Sequence, residues 1–204
     1  YEKSMFEVFA DVLAAPVFPA EVLEREKQIL KSQIKSRNDN PSQIAILQFM
    51  KTLFNGHPYA RDMMGSQESI GKIQTDGIRA YYEKIVASRN FTISVVGDFD
   101  KSFWMENIKK LASELPKGEK FESNFSLQPI KQEHHLYQES KKEQSHVVMG
   151  VRGLTITDEE RYTLEVIQSI LSGQGGRLFI ELRDKNSLAY SVAPMRMEGL
   201  ETGY

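Results

Sequence analysis

Apolar residues recur at three- and four-residue spacing along most of the first half of the chain, a period that predicts helices. Over residues 1–15, Phe6, Phe9, Val12 and Leu13 share one face. Pro16 and Pro19 interrupt that run, and Pro19 suits the first turn of a second helix with Glu21 near its positive end. That helix reaches about Arg37 and is rich in charge. Asn38-Asp39-Asn40-Pro41 stops it and starts a third, about 41–54, carrying Ile44, Leu47, Met50, Leu53 and Phe54, with Gly56 just past its end. A loop from His57 to Ile70 ends in a short helical turn. Thr75 is placed to cap a helix over about 76–86, with Ile78, Tyr81, Tyr82 and Ile85 inward.

The pattern then shifts to a period of two. Asn90 to Gly97 alternates, with Phe91, Ile93 and Val95 on one side, and predicts a strand. Asp100 caps a helix to about Leu115 with Phe103, Trp104, Ile108 and Leu111 inward. Pro116 to Gln132 loses apolar periodicity and reads as a linker. Residues 132–139 and 144–151 read as strands, the second apolar at Val147, Val148, Met149 and Val151. Thr157 and Glu160 have the spacing of a capping box before a helix over about 158–171, with Leu164, Ile167, Ile170 and Leu171 inward. A Gly-rich turn at Gly173, Gly175 and Gly176 opens a short amphipathic helix whose apolar side is Leu178, Phe179 and Leu182. An extended run, Leu188 to Val192, follows.

That last helix and run carry the candidate chemistry. Arg183 falls in the final helical turn and Tyr190 in the next extended segment, so a fold-back can bring a guanidinium and a phenol into one pocket. Together they offer a rigid fork of donors and one more hydroxyl, suited to a peptide carbonyl or a developing oxyanion. Taken residue by residue, an Arg at a helix end also serves the dipole, and a strand Tyr also serves packing. The glycines precede neither a Walker Lys-Ser/Thr nor a Gly-x-Gly-x-x-Gly after a strand, so they make no phosphate loop. His134 and His135 are adjacent and in a strand would point to opposite faces, which rules out a shared metal.

Composition narrows the class without naming a function. The 204 residues are 40% hydrophobic and 26% charged, an ordinary globular balance. A net charge of −2 gives no electrostatic case for nucleic acid or an anionic membrane, and no apolar run is long enough to span a bilayer. No cysteine is present, so disulfides and thiolate metal sites are excluded and the compartment stays open, periplasmic, secreted or cytoplasmic. The chain opens inside an expected helix at Tyr1 and closes inside an expected strand at Tyr204, which reads as an excised piece.

The run GGRLFIELRDKNSLAYSV resembles the C-terminal signature of the insulinase–pitrilysin family of zinc peptidases, also called the mitochondrial processing peptidase family. Looser likenesses cover most of the rest. FPAEVLEREKQI resembles the family helix that supplies the third zinc ligand, with Glu24 at the ligand position; as an isolated residue Glu24 reads equally as part of a helix face with Glu–Lys pairs. HPYARDMMGSQESI resembles the family's HPYG-R…G loop, with Ala60 in place of Gly. NFTISVVGDFD resembles the stretch that closes the family's first domain, though Ser88-Arg89-Asn90 stands where the pattern has Pro-x-Asn.

The resemblance implies an α+β fold, with LuxS/mitochondrial-processing-peptidase-like α/β units in which an antiparallel sheet is flanked by helices. Residues 1–118 would be the later part of one unit, 119–131 a linker, and 132–204 the first part of the next. It implies a zinc-dependent endopeptidase acting on peptides or unfolded proteins, with Arg183 and Tyr190 positioning substrate and stabilising the tetrahedral intermediate. The zinc would belong to a zinc-bearing half, in the same chain or a partner subunit, because the family's H-x-x-E-H motif is not in these residues. Glu24 would then be either a ligand completed from elsewhere or a relic. The alternative is a non-catalytic structural or substrate-binding subunit of the same fold.

Two outcomes are expected from the sequence. The 204 residues alone should retain no stoichiometric zinc and hydrolyse no peptide; about one tightly held zinc per chain after dialysis would overturn this. Limited proteolysis should cut first between Lys117 and Lys131, and first cuts within 76–86 or 158–171 would contradict a linker there.

Overall fold

Seven α-helices carry the architecture of the described residues: α1 (Glu2–Ala14), α2 (Ala20–Asn38), α3 (Pro41–Leu53), α4 (Gln67–Lys72), α5 (Thr75–Ile85), α6 (Lys101–Glu114) and α7 (Arg161–Leu171), followed by a π-helix at Phe179–Lys185. This computed structural model describes every residue except Phe121, Ser123 and Asn124, so part of the expected 119–131 linker lies outside the described residues. Polar side chains fix several starts. Asp100 accepts from the amides of Ser102 and Phe103 at 2.8 and 3.2 Å, and Asn40 accepts from Gln43 N at 3.2 Å. Ser66 and Ser69 form a reciprocal capping box on α4. The box expected at Thr157 and Glu160 does not form. Thr157 Oγ1 instead lies 3.2 Å from Thr155 Oγ1, Asp158 takes the Glu160 amide, and α7 starts at Arg161. Thr75 lies inside the first turn of α5, not at its cap.

The expected α+β fold with an antiparallel sheet is overturned. The described residues contain no sheet, only isolated bridges at Gly153–Gly203, Thr155–Gly199 and Glu198–Gly203. Residues 90–97, 132–139, 144–151 and 188–192 form no strand ladder. Alternating apolar residues favour an extended backbone, but a strand exists only where a neighbouring segment satisfies its N–H and C=O groups, and no ladder forms on these segments among the described residues. In 144–151 the apolar side chains stand in the open, with Val147, Met149 and Val151 each at least three-quarters exposed, whereas Phe91 and Val95 pack against the core around Phe6 and Trp104. The same lack uncovers α7, whose Ile167 and Ile170, expected inward, are exposed.

Two packed centres hold the rest. In the first, Phe6 of α1 meets Trp104, Leu111 and Leu115 on and after α6, with the Phe6 and Trp104 rings edge to face at 5.5 Å. Phe9 and Val12, expected on the buried face, lie outside it. Tyr82 donates its hydroxyl to the carbonyls of Val12 and Leu13, satisfying acceptors that the end of α1 leaves open.

The second centre forms at the C-terminus of α3. Phe54 is fully buried among the rings of His57, Tyr59 and Tyr204. Arg152 donates from both Nε and Nη2 to Leu53 O at 3.1 Å, and from Nη1 to Gln128 O. His57 Nδ1 accepts from Tyr59 N at 3.2 Å, so the ring proton sits on Nε2 and is directed at Glu201 Oε2, 2.5 Å away. Tyr59 in turn accepts from Leu200 N at 3.1 Å. The turn 197–204 closes on itself through paired Met197–Tyr204 hydrogen bonds, and only glycine fits at 203. A Cβ there would collide with the carbonyl oxygens of Met197 and Leu154.

Arg37 at the end of α2 pairs with Asp62 at 2.7 Å, both mostly buried, and ties α2 to the loop before α4. Burial pushes the Asp62 carboxyl up. The Arg37 hydrogen bond, the Met64 amide and the charges of Arg37 and Lys51 outweigh it, leaving the group below its ordinary 3.8. A carboxyl lowered in the folded state stabilises above its unfolded pKa and loses that contribution as pH falls through the folded one. The melting-temperature gap between wild type and Asp62→Asn should therefore be widest near neutrality and narrow below pH 3.8; a gap independent of pH would refute the assignment.

Candidate active site

Arg183 is placed by a Gly-rich entry and a tight exit. Gly173 has φ +74°, and a Cβ on buried Gly176 would strike the carbonyls of Leu171 and Ser172. These two positions therefore let the chain turn out of α7 directly into the π-helix. At the other end Ser187 takes φ +52°, its amide donates to Arg183 O at 3.0 Å, and Leu188 N donates to Leu182 O at 2.8 Å. Asn186 Nδ2 adds a bond to Glu181 O at 2.7 Å. The reversal carries residues 188–190 back along the π-helix.

Tyr190 thereby meets Arg183. The guanidinium carbon lies 4.5 Å from the Tyr190 ring centroid and 4.7 Å from that of Phe179, so aromatic rings flank it on both contacts. The Arg183 guanidinium makes no hydrogen bond or ion pair among the described residues, whereas its neighbours Lys185 and Glu181 pair with each other at 2.6 Å. Tyr190 is 79% exposed, and its hydroxyl also has no partner among the described residues. A buried, packed tyrosine is therefore not what the structure contains. The arrangement is a planar cation with its donor edges unspent, beside a phenol with its donor unspent.

Glu24 sits elsewhere, on α2, and makes an ion pair with Lys27 at 2.6 Å. The Glu–Lys pair was foreseeable from spacing; the burial of Lys27, 4% exposed, was not. The zinc implied by the family likeness does not fit these residues. Among the described residues no three of His, Cys, Asp and Glu are grouped to hold a metal. His57 is committed to Tyr59 N and Glu201, and His135 is an exposed residue beside Glu133. No helix of the described residues is long and apolar enough to cross a membrane.

Three participants escaped the sequence reading. Phe179 was assigned to an apolar face, yet its i,i+4 spacing to Arg183 was the available signal for a stack. Arg152 and Glu201 reach across 99 and 144 positions, and nothing local in the sequence marks them.

A family model described as "Peptidase M16 inactive domain" matches residues 72–203, and one described as "Insulinase (Peptidase family M16)" matches residues 2–67. An uncharacterized zinc protease of Rickettsia bellii is 27% identical over 96% of this chain and 47% of its own length. The uncharacterized zinc protease YmxG of Bacillus subtilis is 28% identical over 91% and 45%. Another Bacillus subtilis relative, named "Probable inactive metalloprotease YmfF", is 26% identical. The chain thus spans about half the length of these curated relatives. The crystal structure of a peptidase M16 inactive domain from Pseudomonas fluorescens superposes with a TM-score of 0.78 at 24% identity, covering 99% of this chain and 49% of that one, a likeness of fold.

Proposed function

The chain belongs to the insulinase, or M16, family of peptidases, and from that premise we propose that it supplies the substrate-facing side of a zinc-dependent endopeptidase site. The observation that carries this reading is the Arg183–Tyr190 stack with its donors unspent. The Arg183 guanidinium is only partly buried and its nitrogens are not shut off from solvent, so its N–H groups stay open to an acceptor brought by a ligand. A peptide carbonyl supplies that acceptor. The guanidinium edge and the Tyr190 hydroxyl would donate to backbone carbonyl oxygens of a bound peptide, fixing its direction. Both donors strengthen as charge develops on the attacked carbonyl oxygen, which is the condition for lowering a barrier instead of only tightening binding. The metal chemistry would come from a zinc-bearing half, since the donors described here cannot hold the ion.

A second reading is a substrate-binding or structural subunit with no chemistry, and the relative named as an inactive metalloprotease gives it a specific basis. Variants separate the two. In the complete zinc-containing peptidase, Arg183→Lys keeps the charge and loses the fork, while Tyr190→Phe keeps the ring and loses the hydroxyl. Each should lower kcat by about 10²–10³, the usual cost of one oxyanion donor. Melting temperatures should stay near wild type, because both side chains are part-exposed or exposed and make no polar bond within the described residues. Near-normal kcat for both variants would favour the non-catalytic subunit.

A further inference from the structure

We propose that Phe179 is the positioning residue for Arg183, an inference that rests on the functional reading above. An arginine side chain has many rotamers, and fixing one costs conformational entropy that something must offset. Three other arginines of this molecule are fixed by polar partners: Arg37 by Asp62, Arg152 by Leu53 O, Arg196 by Glu198 at 2.7 Å. The Arg183 guanidinium has none among the described residues, where it meets the rings of Phe179 and Tyr190. Those rings are unequal. Tyr190 is mostly exposed and follows the reversal at Ser187, whereas Phe179 is partly buried on the same π-helix as Arg183. Phe179 is therefore the more firmly held of the two.

Aromatic anchoring has a chemical consequence that an ion pair would not have. A carboxylate would occupy the N–H edge and compete with a substrate carbonyl for the same donors. A ring attracts the cation through its π-electrons and brings no carboxylate oxygen to compete for the N–H donors. Phe179 thus orients Arg183 without consuming its hydrogen-bonding capacity, and Tyr190 is left with its hydroxyl available beside that edge. Phe179 itself has no donor or acceptor to offer substrate, so it acts through Arg183.

The test uses the complete zinc-containing peptidase with Phe179→Leu, Phe179→Tyr, Arg183→Lys and the Phe179→Leu/Arg183→Lys double variant. Leucine retains apolar bulk and removes the π-face. Phe179→Leu should lower kcat by about tenfold to a hundredfold, the range expected when a reacting-site group is misplaced by around an ångström. Phe179→Tyr should restore it. In the Arg183→Lys background, Phe179→Leu should add little, because the two act as one unit. Independently of turnover, the Arg183 side-chain N–H resonances should carry an upfield ring-current shift in wild type and Phe179→Tyr that shrinks in Phe179→Leu. If Arg183→Lys lowers kcat but Phe179→Leu does not, the functional reading stands and the positioning role is refuted. A Phe179→Leu effect that simply multiplies with Arg183→Lys, or an unchanged Arg183 resonance, refutes it as well. If Arg183→Lys itself leaves kcat unchanged, the functional reading fails and the role of Phe179 fails with it.

Discussion

The last carbonyls of α3 have no helical partner, and one of them becomes the joint of the molecule. Leu53 O accepts two N–H bonds from Arg152, a residue 99 positions away, at a helix end where Phe54 is fully buried. An acceptor buried without such donors would cost roughly 1–3 kcal/mol, so the arginine is a structural requirement of bringing the later segment onto α3. Once Arg152 is in place, the neighbouring backbone follows. Gly150 lies against Phe49 so closely that a Cβ would contact the ring, Gly153 pairs with Gly203, and the 197–204 turn presents Glu201 to His57.

The candidate site uses a different solution to a related problem. Arg152 spends its donors on carbonyls; the Arg183 guanidinium lies against two aromatic rings and has no polar partner among the described residues. The contrast between two arginines of one chain shows how the partner chosen for a cation decides whether it serves the fold or remains available to a ligand.

The helices were legible in the sequence because their signals are local. Asp100 caps α6 as its position indicates, and Asn40 with Pro41 separates α2 from α3. The strands were misread because alternation at Phe91–Val95 or Val147–Val151 reports a tendency of the backbone, while a sheet is a relation between segments, and no ladder joins these among the described residues. Exposure of α7 follows from the same cause, since a helix with a strong apolar face still needs something to bury it against. At the site, the sequence pointed to Arg183 and Tyr190 through a motif, and the structure stacks them. Phe179 was hidden by its own hydrophobicity, because a ring in an apolar stripe looks the same whether it packs on carbon or on a cation.

The hydrogen bond between His57 and Glu201 spans 144 positions. During synthesis the chain emerges from its N-terminus, so α1 to α3 exist long before the turn that covers Phe54. Closing so large a loop is entropically slow, and contacts of high sequence separation lengthen folding times. The rings around Phe54 and His57 therefore wait for their cover while more than a hundred residues are added, and apolar surface left uncovered in this way is prone to association with other chains.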